Sequence, residues 1–322
     1  MNKDYQYEYE VVPDWLDIPE EYAPKDVCGL AVDYMENVYV LNRGKYPFLM
    51  LNSGGKLIKT WGTGEFTRAH DICISPDGHV WCVDDDNHCV RKYTPDGELC
   101  QIIGTPGQPS DTGVVGKDDS TIQYSAGPFC YPTGIAFHKK TGEFFVTDGY
   151  GNARVHRFSP DGELISSFGK PGGNPGEFRL PHSIAIGDNG FLYVVDREND
   201  RIQLFEPDGK VVAVWEDVVY RPQGIAIDGN GNIFVIELGY KLFNTIRKPV
   251  SVQPRARVTI LSPDGKVISR IGESDEIKSG SLHWSHAVAV SPCGNLYTGE
   301  VVLTLNGWCP PEVSALQKFV KI

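Results

Sequence analysis

Apolar and polar residues alternate at a spacing of two in short runs along this chain, and each run stops at a turn rich in Gly, Pro, Asn or Asp. That pattern predicts strands, and it repeats. The clearest copies are DICISPDGHVWCVDDDNHCVRKYTPDGELCQIIG from Asp71, TGIAFHKKTGEFFVTDGYGNARVHRFSPDGELISSFG from Thr133 and HSIAIGDNGFLYVVDRENDRIQLFEPDGKVVAVW from His182. Two more are GIAIDGNGNIFVIE from Gly224, resumed by RVTILSPDGKVISRIG, and HAVAVSPCGNLYTGEV from His286. A sixth opens at Cys28 with CGLAVDYMENVYVLNRG and closes in FLMLNSGGKLIKTWG. Each unit carries four strand signals, and the PDG and GNG tripeptides supply the positive-φ positions that tight hairpins require.

A four-stranded unit of this kind cannot bury both of its faces alone. Six of them packed radially give an all-β, six-bladed β-propeller, with blades opening near residues 28, 70, 133, 182, 223 and 286 and the whole chain, 1–322, read as one domain. The last unit has only three strands before LQKFVKI, so the alternating N-terminal segment YQYEYEVV is expected to add the missing outer strand and close the ring. Insertions at 105–127 and 238–256 interrupt the repeat. Loops of that length at a rim serve either as substrate lids or as decoration and subunit contacts.

Composition narrows the function classes. The chain is 41% hydrophobic and 22% charged, with 35 Gly and 22 Pro, which suits a soluble protein of many short strands. A net charge of −12 argues against nucleic acid, because phosphate binding needs clustered Lys and Arg. The expected partner is a small-molecule or peptide-like substrate, with no nucleic acid and no membrane. The start, MNKDYQYEYEVVPDW, has no apolar signal region and no run of eighteen apolar residues occurs, so a cytoplasmic location is expected. The 8 cysteines form no CxxC pair and are expected to be free, largely buried thiols.

The residues opening the innermost strands form a column: Cys28, His70, Thr133, His182, Gln223 and His286. Histidine occupies every second blade, and alternate blades of a sixfold ring are related by threefold rotation, so three imidazoles at one height converge on the axis. Three neutral imidazoles plus water complete a tetrahedral zinc site that keeps an exchangeable position, the arrangement of a catalytic metal. Another divalent transition metal would suit the same ligands. A lone histidine near a turn is usually a satisfied polar side chain; the matched spacing separates these three from His79, His88, His138, His156 and His283. Cys28 shares the column as a soft-ligand alternative, although its blade breaks the threefold pattern.

The stretches AHDICISPDGHVWCVD, FCYPTGIAFHKKTGEFFVTDGYGNARVHRFSPDGELISSFG, FRLPHSIAIGDNGFLYVVDRENDRIQLF and HWSHAVAVSPCGNLYTGE, with VYVLNRG, carry a family resemblance. The chain resembles the catalytic core of the peptidyl-α-hydroxyglycine α-amidating lyases, zinc- and calcium-containing NHL-repeat propellers. The resemblance implies that His70, His182 and His286 are zinc ligands, that Tyr150 in DGYGN is the catalytic tyrosine and Arg43 in LNRG an active-site arginine, and that Arg197 in DREN lies on the substrate side. The implied reaction is cleavage of a carbinolamide into an amide or amine plus a carbonyl compound such as glyoxylate. In it the metal acts as Lewis acid, Tyr150 as general base, and Arg43 and Arg197 as carboxylate or oxyanion clamps.

Departures from the family pattern are specific. Ala287 stands where the family has an aspartate that helps hold a structural Ca2+, while Asp71 follows His70 at the same level. Trp284 replaces a methionine and is expected to form a larger wall of the substrate pocket. Cys130 is kept, but Gly151 occupies its disulfide partner position, which fits a reducing compartment. The chain shows no hydroxylating monooxygenase domain, so peptide amidation itself is not implied. Two other classes remain to be weighed: a metal-dependent, lactonase-like hydrolase, which a three-histidine centre disfavours, and a non-catalytic NHL interaction scaffold.

Overall fold

The computed structural model describes residues 7–239, 254–310 and 312–322. They form six antiparallel four-stranded sheets arranged as a β-propeller. The innermost strands are Val27–Val32, Ala69–Ile74, Gly134–Phe137, Pro181–Ile186, Pro222–Ile227 and Ser285–Val290, in agreement with the predicted blade openings. The ring closes as expected. Tyr9–Val11 pairs with the last strand, Leu316–Lys321, in the register Tyr9↔Lys321 and Val11↔Phe319, and becomes the outer strand of the sixth blade. The same segment reaches the fifth blade: the Tyr7 and Tyr9 rings meet Phe234 edge-on, and the Tyr7 hydroxyl donates to Asp228 at 2.8 Å.

There is no single core. Apolar residues gather in six clusters, one for each contact between neighbouring blades; Tyr39, Leu41 and Phe48 of the first blade, for example, pack on Ile72, Val80 and Tyr93 of the second. The second strand of each blade is sandwiched on both faces, which is why VWCVD, FFVTD, LYVVD and IFVIE are apolar almost throughout and fully buried. Fourth strands such as LCQII lie at the outer edge, largely exposed. The cysteines are all unpaired, but only Cys28, Cys82, Cys89 and Cys130 are buried, and Cys100 and Cys293 are exposed. Of the insertion 238–256, residues 240–253 lie outside the described residues. The insertion 105–127 is pinned to the second and third blades: Gly107 N–H donates to Asn87 O (3.1 Å), Ser110 N–H to Phe129 O (2.8 Å) and Thr112 Oγ1 to Gly151 O (2.5 Å).

Buried carboxylates end five of the second strands and hold the loop that leads into each blade. Asp84 accepts from Thr67 and Arg68 N–H, Asp148 from Cys130, Asp196 from Arg179 and Leu180, Glu237 from Tyr220, and Glu300 from His283 and Trp284. Four of them also face a basic side chain, Arg91, His156, Arg201 or Arg257. Glu300 forms no ion pair among the described residues, and burial pushes its pKa up to about 7. A carboxyl raised in the folded state above its ordinary ~4.3 favours the fold below that value, and the contribution is lost as pH rises through 7. Glu300→Gln should therefore flatten the fall in stability between pH 5 and pH 8 and leave the variant about 2 kcal/mol more stable at pH 8. Parallel pH–stability curves in denaturant titrations would refute this.

Candidate metal centre and active site

In five blades the pairing between the innermost and second strands skips one residue, and the residue skipped is the column residue. Cys28, His70, His182, Gln223 and His286 are each the extra residue of a β-bulge, and Thr133 immediately precedes its strand. A bulge leaves its residue out of the ladder and re-aims its side chain. Here it turns the histidines of the even blades to the axis and frees the carbonyls of the odd blades to receive them. His70 Nδ1 donates to Thr133 O (2.7 Å), His182 Nδ1 to Gln223 O (2.7 Å) and His286 Nδ1 to Cys28 O (2.8 Å). Glycine follows the column residue in the odd blades only: Gly29, Gly134 and Gly224. A Cβ there would meet Ile72 N at 2.9 Å, Ser183 Cα at 3.0 Å and His286 O at 3.0 Å, so the small residue lets the next blade's innermost strand pack closely at the three seams that these bonds do not cross.

A carbonyl can only accept, so the proton of each imidazole must sit on Nδ1, and each Nε2 carries a lone pair. The three rings are arranged with near-threefold symmetry, at centroid separations of 4.8, 4.8 and 5.0 Å. Their ligand atoms lie within 4.8 Å of one another. Atoms so spaced are no more than about 2.8 Å from a common point, a small inward shift from the ~2.1 Å of a zinc–imidazole bond. All three are buried, and His286 Nε2 has no hydrogen-bond partner among the described residues. Burial first, and then neighbouring charges, hold every one well below the usual imidazole pKa range. The charges are the other two histidines with Arg43 and Arg68 at His70, Arg197 with His286 and Arg43 at His182, and Arg43, Arg68 and Arg197 at His286. Three neutral, inward-facing nitrogen donors in a buried site fit a divalent transition metal.

The Tyr150 hydroxyl sits between two of these nitrogens, 3.1 Å from His70 Nε2 and 3.1 Å from His182 Nε2. Its single proton serves one of them, which leaves the remaining imidazole lone pairs to a cation. Three basic groups face the Tyr150 ring: Lys117 at 5.2 Å, Arg197 at 5.4 Å and Arg68 at 5.9 Å from its centroid. Each stabilises negative charge developing on the phenol oxygen. Arg197 also pairs with Glu198 (3.0 Å), and Arg43 bonds Ala69 O (3.0 Å) and Thr304 Oγ1 (3.0 Å).

The structure thus brings His70, His182, His286, Tyr150 and Arg197 together, with Arg43 at the neighbouring rim. It does not bring Trp284 there: the indole lies in the cluster between the sixth and first blades with Trp15, Tyr297 and Val302, and lines neither cavity next to the triad. The Cys28 thiol donates to Leu41 O (3.3 Å) and burial pushes its pKa up to about 12, so the residue serves the site through its carbonyl. Asp71 faces the axial channel of about 410 Å³ on the other side of the triad, accepts from Ile135 N–H (3.1 Å) and is raised by burial to about 7. It is the one carboxylate lining that channel, where Ala287 adds none. Sequence reasoning missed Arg68, Asp85 and Lys117. The alternation of Gly after the column residue was a visible signal that odd and even blades differ at the axis, whereas the reach of the 105–127 insertion to Tyr150 had no local signal.

Residues 66–93, 129–158 and 178–205 match the NHL repeat family. Peptidyl-glycine alpha-amidating monooxygenase B of Xenopus laevis is 32% identical to the chain over 236 residues, covering 64% of this chain and 25% of that protein. The chain therefore spans about a quarter of the length of that relative. A probable peptidyl-alpha-hydroxyglycine alpha-amidating lyase of Caenorhabditis elegans is 34% identical over 153 residues, 47% of this chain and 40% of that protein. NHL repeat-containing protein 3 of Homo sapiens is 27% identical over 292 residues, 85% of this chain and 80% of that protein. Among solved structures, virginiamycin B lyase of Staphylococcus aureus shares the fold, with a TM-score of 0.62 over 98% of this chain and 100% of that one at 16% identity.

Proposed function

We propose that this NHL-repeat propeller, related in sequence to the amidating lyases, is a zinc-dependent lyase that splits an N-acyl-α-hydroxyglycine or a similar carbinolamide into an amide and a carbonyl product such as glyoxylate. One observation carries the reading: three imidazoles locked in the same tautomer present their Nε2 atoms to one point, with the Tyr150 hydroxyl between two of them.

His70, His182 and His286 would hold the ion, which when bound supplies Lewis acidity toward a substrate oxygen. Tyr150 acts as the phenolate that the bound cation and the adjacent Lys117, Arg68 and Arg197 would stabilise, and its Oη takes the proton of the carbinol hydroxyl. The oxygen electron pair then forms the C=O bond, the C–N bond breaks with its electrons going to nitrogen, and Tyr150 returns the proton there, so atoms and charge balance. Arg197, beside the same phenol, is placed to hold the α-carboxylate that leaves as glyoxylate. The buried surroundings exclude water from the proton transfer and strengthen each of these charge interactions. The eight unpaired cysteines support a reducing, cytoplasmic setting.

The test is glyoxylate release from N-benzoyl-α-hydroxyglycine by protein holding one zinc per chain, abolished by a chelator and restored by zinc. A second reading is a binding propeller without chemistry, since the same fold serves both roles. Protein that is folded, metal-free and inert after incubation with zinc would establish that alternative.

A further inference from the structure

Beside the triad, at the rim between the first and second blades, lies a cavity of about 300 Å³ lined by Arg43, Arg68, Asp26 and Phe66, among others. Its lining holds two guanidinium groups and one carboxylate. Asp26 is the one carboxylate in the lining, and its oxygens already accept from Thr304 N–H (3.0 Å) and Thr304 Oγ1 (2.9 Å). Arg43 spends Nε and Nη1 on Ala69 O and Thr304 Oγ1, while its Nη2 is buried with no partner among the described residues. Arg68 is held by Asp85, whose side chain is fully buried. Asp85 also takes the Lys117 ammonium at 2.8 Å, so this carboxylate is shared by two cations. Asp86 meets Lys117 as well, at 2.6 Å, so the excess of positive charge is confined to the cavity lining itself, two guanidinium groups and one carboxylate.

Arg197 belongs to the fourth blade and Arg43 to the first, on opposite sides of a six-bladed ring with the triad between them. The two cationic positions are therefore separate, and one small carboxylate at Arg197 leaves the Arg43–Arg68 side unfilled. A guanidinium with a buried, unused N–H is suited to a carboxylate oxygen, and two guanidinium groups around one cavity suit it better than any neutral group. At about 30 Å³ for each water in the liquid, the cavity has room for a short carboxylate arm.

We infer that the Arg43–Arg68 cavity is a subsite for a second acidic group, on the acyl portion of the substrate, so that the preferred substrate is a small dicarboxylic carbinolamide and not a neutral peptide. The inference rests on the reading that the triad splits an N-acyl-α-hydroxyglycine, and binding can be measured apart from that chemistry. N-succinylglycine, which lacks the reacting hydroxyl, is titrated calorimetrically into the zinc-loaded protein and compared with its terminal carboxamide. The acid should bind about 30-fold more tightly at low ionic strength, and added salt should narrow the gap. Arg68→Met should bring the two ligands within about twofold. Arg68→Lys, which keeps the charge without the fork and guards against a misfolded Met variant, should retain a several-fold preference. Equal affinities in the native protein, or a preference undiminished in folded Arg68→Met, would overturn the subsite. Glyoxylate release from N-succinyl-α-hydroxyglycine is scored separately: an intact preference without release would uphold the subsite and overturn the lyase reading alone.

Discussion

Replacing His182 by alanine should strip the bound metal from the protein and lower kcat/KM by at least about 10⁴-fold, while the propeller stays folded. The imidazole is one of three donors, and two neutral nitrogens do not retain zinc in competition with water and buffer. Removing it also deletes the bond to Gln223 O, but the blade keeps its full strand ladder and its inter-blade packing, so the stability loss should stay within about 1–3 kcal/mol. His156 provides the contrast. It is equally buried, yet it bonds Asp148 and Ser167 away from the axis, so His156→Gln should cost stability and leave the metal in place. Elemental analysis and a kinetic assay on both variants decide the matter; full zinc content in His182→Ala would contradict the ligand assignment.

Tyr150→Phe should separate chemistry from metal binding. The change removes one oxygen, keeps the ring among Lys117, Arg68 and Arg197, and leaves the three Nδ1–carbonyl bonds untouched. Zinc should remain at one per chain while kcat falls about 10³-fold, the scale expected for loss of a positioned general acid–base group. KM should change little, because the carboxylate contacts stay. Turnover within a few fold of the native rate would remove the phenol from the proton path and point to a water in its place.

Much of this was legible in the sequence because the repeat is strict. PDG turns and second strands such as LYVVD fix six blades, and the sixfold ring converts a spacing along the chain into a threefold set of histidines. The ring-closing strand was legible for the same reason: a three-stranded last unit requires a partner. What sequence could not show depends on contacts between repeats. The β-bulge at each column residue is invisible to a period-two pattern, and so is the donation of each Nδ1 to a carbonyl one blade away. Arg68 looks like a loop charge until Asp85 is seen buried beneath it, and Lys117 arrives from an insertion whose path no local rule dictates. Trp284 illustrates the opposite error. Its replacement of a methionine in the resembled family suggested a pocket wall, but the bulge at His286 turns that histidine to the axis while Trp284 stays in the seam between blades.

X-ray absorption at the zinc edge of the reconstituted protein tests the shared centre most directly. The account predicts one zinc per chain with three imidazole nitrogens and one oxygen at about 2.0–2.1 Å. Zinc bound instead through cysteine sulfur at about 2.3 Å, or through fewer than three imidazoles, would contradict it.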